Sequence, residues 1–280
     1  MKKLITVAFA ICLTAFLCYL AFFFIPEKTN KAPEIFCKSE LLEISVNTSE
    51  KELLSNAVAS DKEDGDLSGK IIIESISALS DDMLRTVRYA VADSSGNVSK
   101  ASCKIKYTDY EKAKFSLDTI ERYTSASQLK LTEHMKADDI IDGDLSGNVK
   151  LLTDITNASP GAYPCKVSVS NSAGDVSTVT VYVQILSSST NLPTINLTEY
   201  ITYINQGDKI DLDKMILSVG SAVPSGISSD GGIQYEIIPR EKIDISGSVD
   251  TDTKGEYYIC YSVSNSLGVI GKSYLTVVVR

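Results

Sequence analysis

Two short stretches of the chain concentrate hard oxygen donors. DKEDGDLSGKI, residues 61–71, carries Asp61, Glu63, Asp64 and Asp66, and DIIDGDLSGNV, residues 139–149, carries Asp139, Asp142 and Asp144, with Asp138 just ahead of them. Carboxylates at that density suit Ca²⁺, which takes several oxygen ligands at once. The spacing is not that of an EF-hand, because Lys62 and Ile141 stand where ligands would be wanted. The same residues also describe a turn: Asp-Gly supplies a position tolerant of positive φ, and Asp side chains cap nearby backbone amides. A Ca²⁺ site and a structural turn therefore both stand, and no other cofactor is called for.

No other constellation promises catalysis. His134 is the only histidine, and no Ser or Cys nucleophile motif accompanies it. Sugar hydrolysis needs two acids facing each other across a cleft, whereas the acids here cluster in loops. The six cysteines show no zinc spacing and are too few for a disulfide-built scaffold. A net charge of −9 with a pI near 4.8 argues against nucleic acid, whose phosphates require clustered Lys and Arg. The chain reads as non-catalytic.

The acidic stretches also reveal the organisation. Their offset is 78 residues, and ADSSGNVS at 92–99 returns as SNSAGDVS at 170–177 with the same offset. Two blocks in register mean a duplicated domain. The strand signals are alternating or apolar runs such as KIIIESI, TVRYAVA and STVTVYVQIL, bounded by turn residues, with no competing helical period. A third copy follows, divergent at its front and clear at its back, where YYICYSVSNSLGVI aligns with CKVSVSNSAGDVS. Its acidic loop has decayed to SSDGGIQY, with Asp230 as the only acid. Repeat one is placed at 33–108, repeat two at 112–186, a Ser-rich linker at 187–193 and repeat three at 194–280. In repeats two and three Tyr163, Cys165, Val167 and Val169, and Tyr257, Ile259, Tyr261 and Val263, share one parity and so one buried face; Cys260 falls on the other.

A DGDLS loop, a G-x-Y entering an alternating strand and a D/N-S-x-G turn before a Val-rich strand resemble bacterial immunoglobulin-like repeats, as in Gram-positive surface proteins and some pesticidal crystal proteins. The resemblance covers nearly all of residues 33–280. It implies an all-β chain of three tandem immunoglobulin-like Greek-key β-sandwiches of about seven strands each. It implies that the acidic loop and the D/N-S-x-G turn share one end of each sandwich, so that Asp93 and Asn97, or Asn171 and Asp175, would add oxygens to the cluster, with Asp109 or Glu111 from the connector. Tyr163 and Tyr257 fall at the tyrosine-corner position, where repeat one has Arg85. Cys37 and Cys103 fall in the first and last strands of repeat one, which pair in many such sandwiches and would bring a disulfide within reach.

The address is written at the N-terminus. Lys2 and Lys3 precede an uncharged run of 22 residues, Leu4 to Ile25. At 1.5 Å per residue that spans about 33 Å, enough for a bilayer core. Its AFFFIP end lacks the small-x-small cleavage pattern. Residues 1–26 thus read as one transmembrane signal anchor, 27–32 as a tether, and the remainder as lying outside a single-pass cell-membrane protein. The expected function is an adhesion or interaction module, or a stalk, contacting a surface protein or glycan. The alternative is an accessory carbohydrate- or wall-binding component of an enzyme system supplied by another chain.

Overall fold

The computed structural model describes residues 11–20, 31–187, 191–229 and 231–280. Residues 11–20 are helical; the rest of the expected Leu4–Ile25 anchor lies outside the described residues. Among the described residues no helix is long and apolar enough to cross a membrane. Beyond that segment the chain is all-β and falls into two compact units, residues 1–44 with 48–106, and residues 45–47 with 107–280.

The first unit holds β1 (Glu34–Cys37), β2 (Leu41–Ile44), β3 (Ala57–Asp61), β4 (Gly65–Asp66), β5 (Ile72–Ile76), β6 (Leu84–Ala92) and β7 (Val98–Tyr107), with a one-turn helix α1 (Glu50–Leu54) capped by Ser49. They form a three-stranded sheet ordered β1-β3-β4 and a four-stranded sheet ordered β2-β7-β6-β5. Alternation along β6 buries Val87, Tyr89 and Val91, and along β7 Cys103 and Ile105, as a period of two requires.

The second unit begins with β8 (Lys114–Ser116), β9 (Arg122–Tyr123), β10 (Lys136–Asp139), β11 (Gly143–Asp144), β12 (Lys150–Leu151), β13 (Gly161–Ser170) and β14 (Val176–Ile185), with α2 (Leu131–His134) before β10. The arrangement repeats: β11-β10-β8 make one sheet and β12-β13-β14-β9 the other, β9 running parallel to β14. The same unit continues with β15 (Thr194–Leu197), β16 (Ile201–Ile204), β17 (Ile216–Gly220), β18 (Pro224–Ile227), β19 (Ile233–Tyr235), β20 (Asp244–Ser246), β21 (Gly255–Ser264) and β22 (Ile270–Val279). Here β16-β22-β21-β20 form the four-stranded sheet, β15-β17 a two-stranded one, and β18-β19 a separate hairpin.

Strand parity is as the sequence implies. Cys165, Val167 and Val169 on β13, and Ile259, Tyr261 and Val263 on β21, are buried, while Cys260 is half-buried. Buried side chains of the second and third repeats belong to one continuous apolar cluster, and β14 lies against β22. Tyr182 stacks on Tyr274 at 4.6 Å between ring centres and meets Tyr258 edge-on at 5.5 Å. The Arg122 guanidinium donates to the Pro193 and Lys272 carbonyls and to Thr194 Oγ1. A Ser-rich composition predicts a bending linker, but composition carries no signal of side chains that pair across the linker.

Candidate functional site

The DGDLSG motif builds a tight hairpin. Asp61 ends β3 and pairs with Gly65, whose φ of +75° closes the turn without a side-chain clash. Asp61 Oδ1 accepts the amides of Glu63 and Asp64 at 2.9 and 2.8 Å, and Asp66 Oδ1 accepts that of Ser68 at 2.9 Å. Leu67, only 1% exposed, pins the loop to the core, and Ser68 Oγ receives the Ala59 amide at 3.1 Å. The second copy repeats each contact: Asp139 Oδ1 accepts from Ile141 and Asp142 at 2.8 and 3.1 Å, Asp144 Oδ1 from Ser146 at 2.9 Å, and the Ala137 amide reaches Ser146 Oγ at 3.1 Å.

The acidic loop and the D/N-S-x-G turn meet, as the resemblance implies, and hydrogen bonds join them. Asp64 accepts both the hydroxyl of Ser94, at 2.8 Å, and its amide; Asp142 does the same for Ser172, with the hydroxyl at 2.6 Å. Asp93 folds onto its own turn, accepting the Ser95 and Asn97 amides at 2.9 and 2.8 Å and Asn97 Nδ2 at 2.7 Å. Asn171 donates to Asp139 Oδ2 at 3.1 Å, and Asp175 is taken by Tyr110 and Lys112. Asp109 accepts from Ser45 and Val46, and Glu111 pairs with Lys114. Hydrogen bonds from the Ser94 amide and hydroxyl hold the Asp64 carboxyl below the usual range, and those from Ser68 and Ser146 do so for Asp66 and Asp144. Among the described residues no group of three or more His, Cys, Asp or Glu side chains is arranged to hold a metal ion.

Cys37 and Cys103 are both free thiols. The pairing of first and last strands that would have joined them is absent, since β1 pairs with β3 while β7 lies between β2 and β6 in the other sheet. The two thiols still interact, and burial followed by the neighbouring Cys103 pushes the Cys37 thiol up to about 11. Asn56 Nδ2 donates to Cys103 Sγ at 3.4 Å, and the Tyr89 hydroxyl lies 3.7 Å from that sulfur while donating to the Leu53 carbonyl at 2.8 Å.

His134 takes the place of Asn56 in the second repeat. Its Nδ1 stands 2.8 Å from Oε1 of Glu121, a carboxylate only 2% exposed, which also accepts from the Tyr123 hydroxyl. Cys165 nearby is fully buried, and burial followed by Glu121 pushes its thiol up to about 11. A protonated, sealed thiol is no nucleophile. The group locks the edge strand β9 in place.

The tyrosine corners form as the resemblance implies. Tyr163 donates to the Ser159 carbonyl at 2.7 Å and Tyr257 to that of Thr253 at 2.8 Å. Arg85, at this position in the first repeat, sends Nε to the Ser77 carbonyl at 2.7 Å. Sequence reasoning missed Ser94, Ser172 and Glu121, and also Glu236, whose carboxylate accepts the Ser266 amide at 3.0 Å. The serines were legible, because they recur at the same 78-residue offset as the acids they serve. Glu236 carries no such signal.

The chain is thus an all-β protein whose paired sheets repeat along it. Residues 214–279, or 66 of the 280, match the family model described as bacterial surface protein, Ig-like domain. No catalytic family is identified. Among curated proteins none matches. Among solved structures, the M60 catalytic domain with the CBM51-1 and CBM51-2 domains of Clostridium perfringens ZmpB is 14% identical, with 89% of this chain and 31% of that one covered and a TM-score of 0.23. Human CDH23 EC21-23 is 12% identical, with 89% and 100% covered and a TM-score of 0.21. The protocadherin gammaB7 EC3-6 cis-dimer is 9% identical, with 89% and 74% covered and a TM-score of 0.20. The chain spans about a third of the length of the first of these. Scores this low carry no conclusion about binding.

Proposed function

We propose that the protein is a bacterial surface interaction module: three tandem immunoglobulin-like sandwiches held at the cell membrane by Leu4–Ile25, non-catalytic, contacting a protein partner through its third repeat. The observation that favours interaction over a plain stalk is the hairpin β18-β19. Ile227, Ile233, Tyr235 and Ile237 are 77%, 62%, 52% and 90% exposed, and Leu217 beside this segment in sequence is 66% exposed. A spacer gains nothing from such side chains, while contiguous exposed apolar surface marks contact sites. Among the described residues the two strands pair only with each other, so each offers an open edge to which a partner strand can add. The hairpin lies inside the region matching the surface-protein family.

The test is binding of cells displaying the full chain to target surfaces pretreated with protease or with glycosidase. Binding abolished by protease and by Ile233→Asp with Ile237→Asp supports a protein partner. Binding that survives protease and vanishes with glycosidase favours the accessory carbohydrate-binding reading. Binding indifferent to the hairpin variant returns the hairpin to an incidental role.

A further inference from the structure

The seam between the second and third repeats carries an open cleft of about 610 Å³ lined by Glu111, Lys112, Lys114, Tyr203, Ile204, Asn205, Lys254 and Arg280. Four cationic residues and one acidic one line this cleft, in a chain whose net charge is −9. Such a concentration runs against the field of the rest of the molecule. Like charges gathered this way repel unless an anion offsets them.

The available anions offset only part of it. Glu111 lies 2.6 Å from Lys114 and 3.6 Å from Arg280, and Lys112 lies 3.4 Å from Asp175. Lys254 has no carboxylate partner among the described residues, so four cations share two carboxylates. The walls are fixed by backbone ties rather than left to loop motion. The Tyr257 corner bond holds the Thr253 carbonyl next to Lys254, the Gly207 amide donates to Thr251 at 2.8 Å, and the Arg280 amide donates to Ile204 at 3.0 Å. The Arg280 guanidinium sits 4.1 Å over the Tyr203 ring, whose hydroxyl in turn accepts the Phe115 amide at 2.8 Å. A backbone tied in this way, the half-buried Arg280 guanidinium and three exposed lysines, with the Glu111 carboxylate among them, suit negatively charged oxygens.

We infer that this cleft binds a ligand bearing two or more closely spaced phosphate or carboxylate groups, and that Glu111 is its built-in competitor. An incoming anion takes over the contacts Glu111 makes to Lys114 and Arg280 and adds Lys254. This site is separate from the hairpin and does not depend on it.

The experiment is calorimetric titration of the full chain in neutral detergent with tripolyphosphate and with citrate, raffinose serving as the neutral control. Saturable one-to-one binding of either anion, weakened by salt, is expected. Lys254→Ala should weaken it about three- to tenfold. Glu111→Gln should tighten it about threefold or more, a gain that misfolding cannot mimic. Preference for tripolyphosphate assigns a phosphate-bearing ligand and preference for citrate a carboxylate-bearing one. Ile233→Asp should leave the titration unchanged, which separates this site from the proposed adhesive surface. Absence of saturable binding by both anions, or affinities that ignore both Lys254→Ala and Glu111→Gln, overturns the inference.

Discussion

Ser266 donates its backbone amide to both carboxylate oxygens of Glu236, at 3.0 and 3.3 Å. Ser94 and Ser172, its counterparts, make the same bond to Asp64 and Asp142. The third repeat has lost the DGDLSG loop, yet a longer acid from an unrelated position restores the latch. What recurs at the three turns is an acceptor for the turn amide. Glu236→Ala should therefore cost about 1 kcal/mol in urea unfolding of the full chain, and Glu236→Gln clearly less, because the amide oxygen still accepts.

Calcium tests the same point from the other side. Asp139, Asp142 and Asp144 each already accept backbone amides. If the loops act as turns, samples in calcium and in EDTA melt together, and Asp142→Asn lowers both transitions equally. A rise in melting temperature that needs calcium and disappears in Asp142→Asn would give these residues, and with them Asp61, Glu63, Asp64 and Asp66, the role of cation ligands.

The same hydrogen bonds set the acid response. Asp64, Asp66 and Asp144 have folded-state pKa values below their ordinary ones, through bonds from Ser94, Ser68 and Ser146. A depressed carboxyl contributes stability that is complete above its unfolded value, near 3.9, and is lost as pH falls through the folded value. Calorimetric melting temperatures should hold level from about pH 7 to pH 5 on this account and drop below about pH 4. The drop should be shallower in an Asp64→Asn, Asp66→Asn variant.

The corner bonds are separable from the core. Tyr163→Phe and Tyr257→Phe keep the ring and lose only the bond to Ser159 or Thr253. Each should cost about 1 kcal/mol, read as a shift of the denaturant midpoint with an unchanged slope.

Much of this was written in local sequence. The period of two along β13 and β21 named the buried face, and the 78-residue offset aligned the loops, because strand burial and turn chemistry depend on near neighbours. The meeting of acidic loop and D/N-S-x-G turn followed from the family resemblance. What failed was non-local. The β1-β3 pairing displaced the expected pairing of first and last strands, and Tyr182 stacks on Tyr274 across a linker whose composition suggests independence. Glu236 and the hairpin lie in the segment where the third repeat has drifted, so alignment with its sisters could not place them.

If the β18-β19 hairpin is the contact surface, photocrosslinking from residue 235 will capture the partner. With a photoreactive residue in place of Tyr235 in the full chain on intact cells, one discrete protein adduct is expected. The same probe in place of Leu152, exposed in the second repeat, should give none. An adduct from position 152 with none from 235, or no adduct from either while the cells still adhere, would mean that the hairpin is not the contact surface.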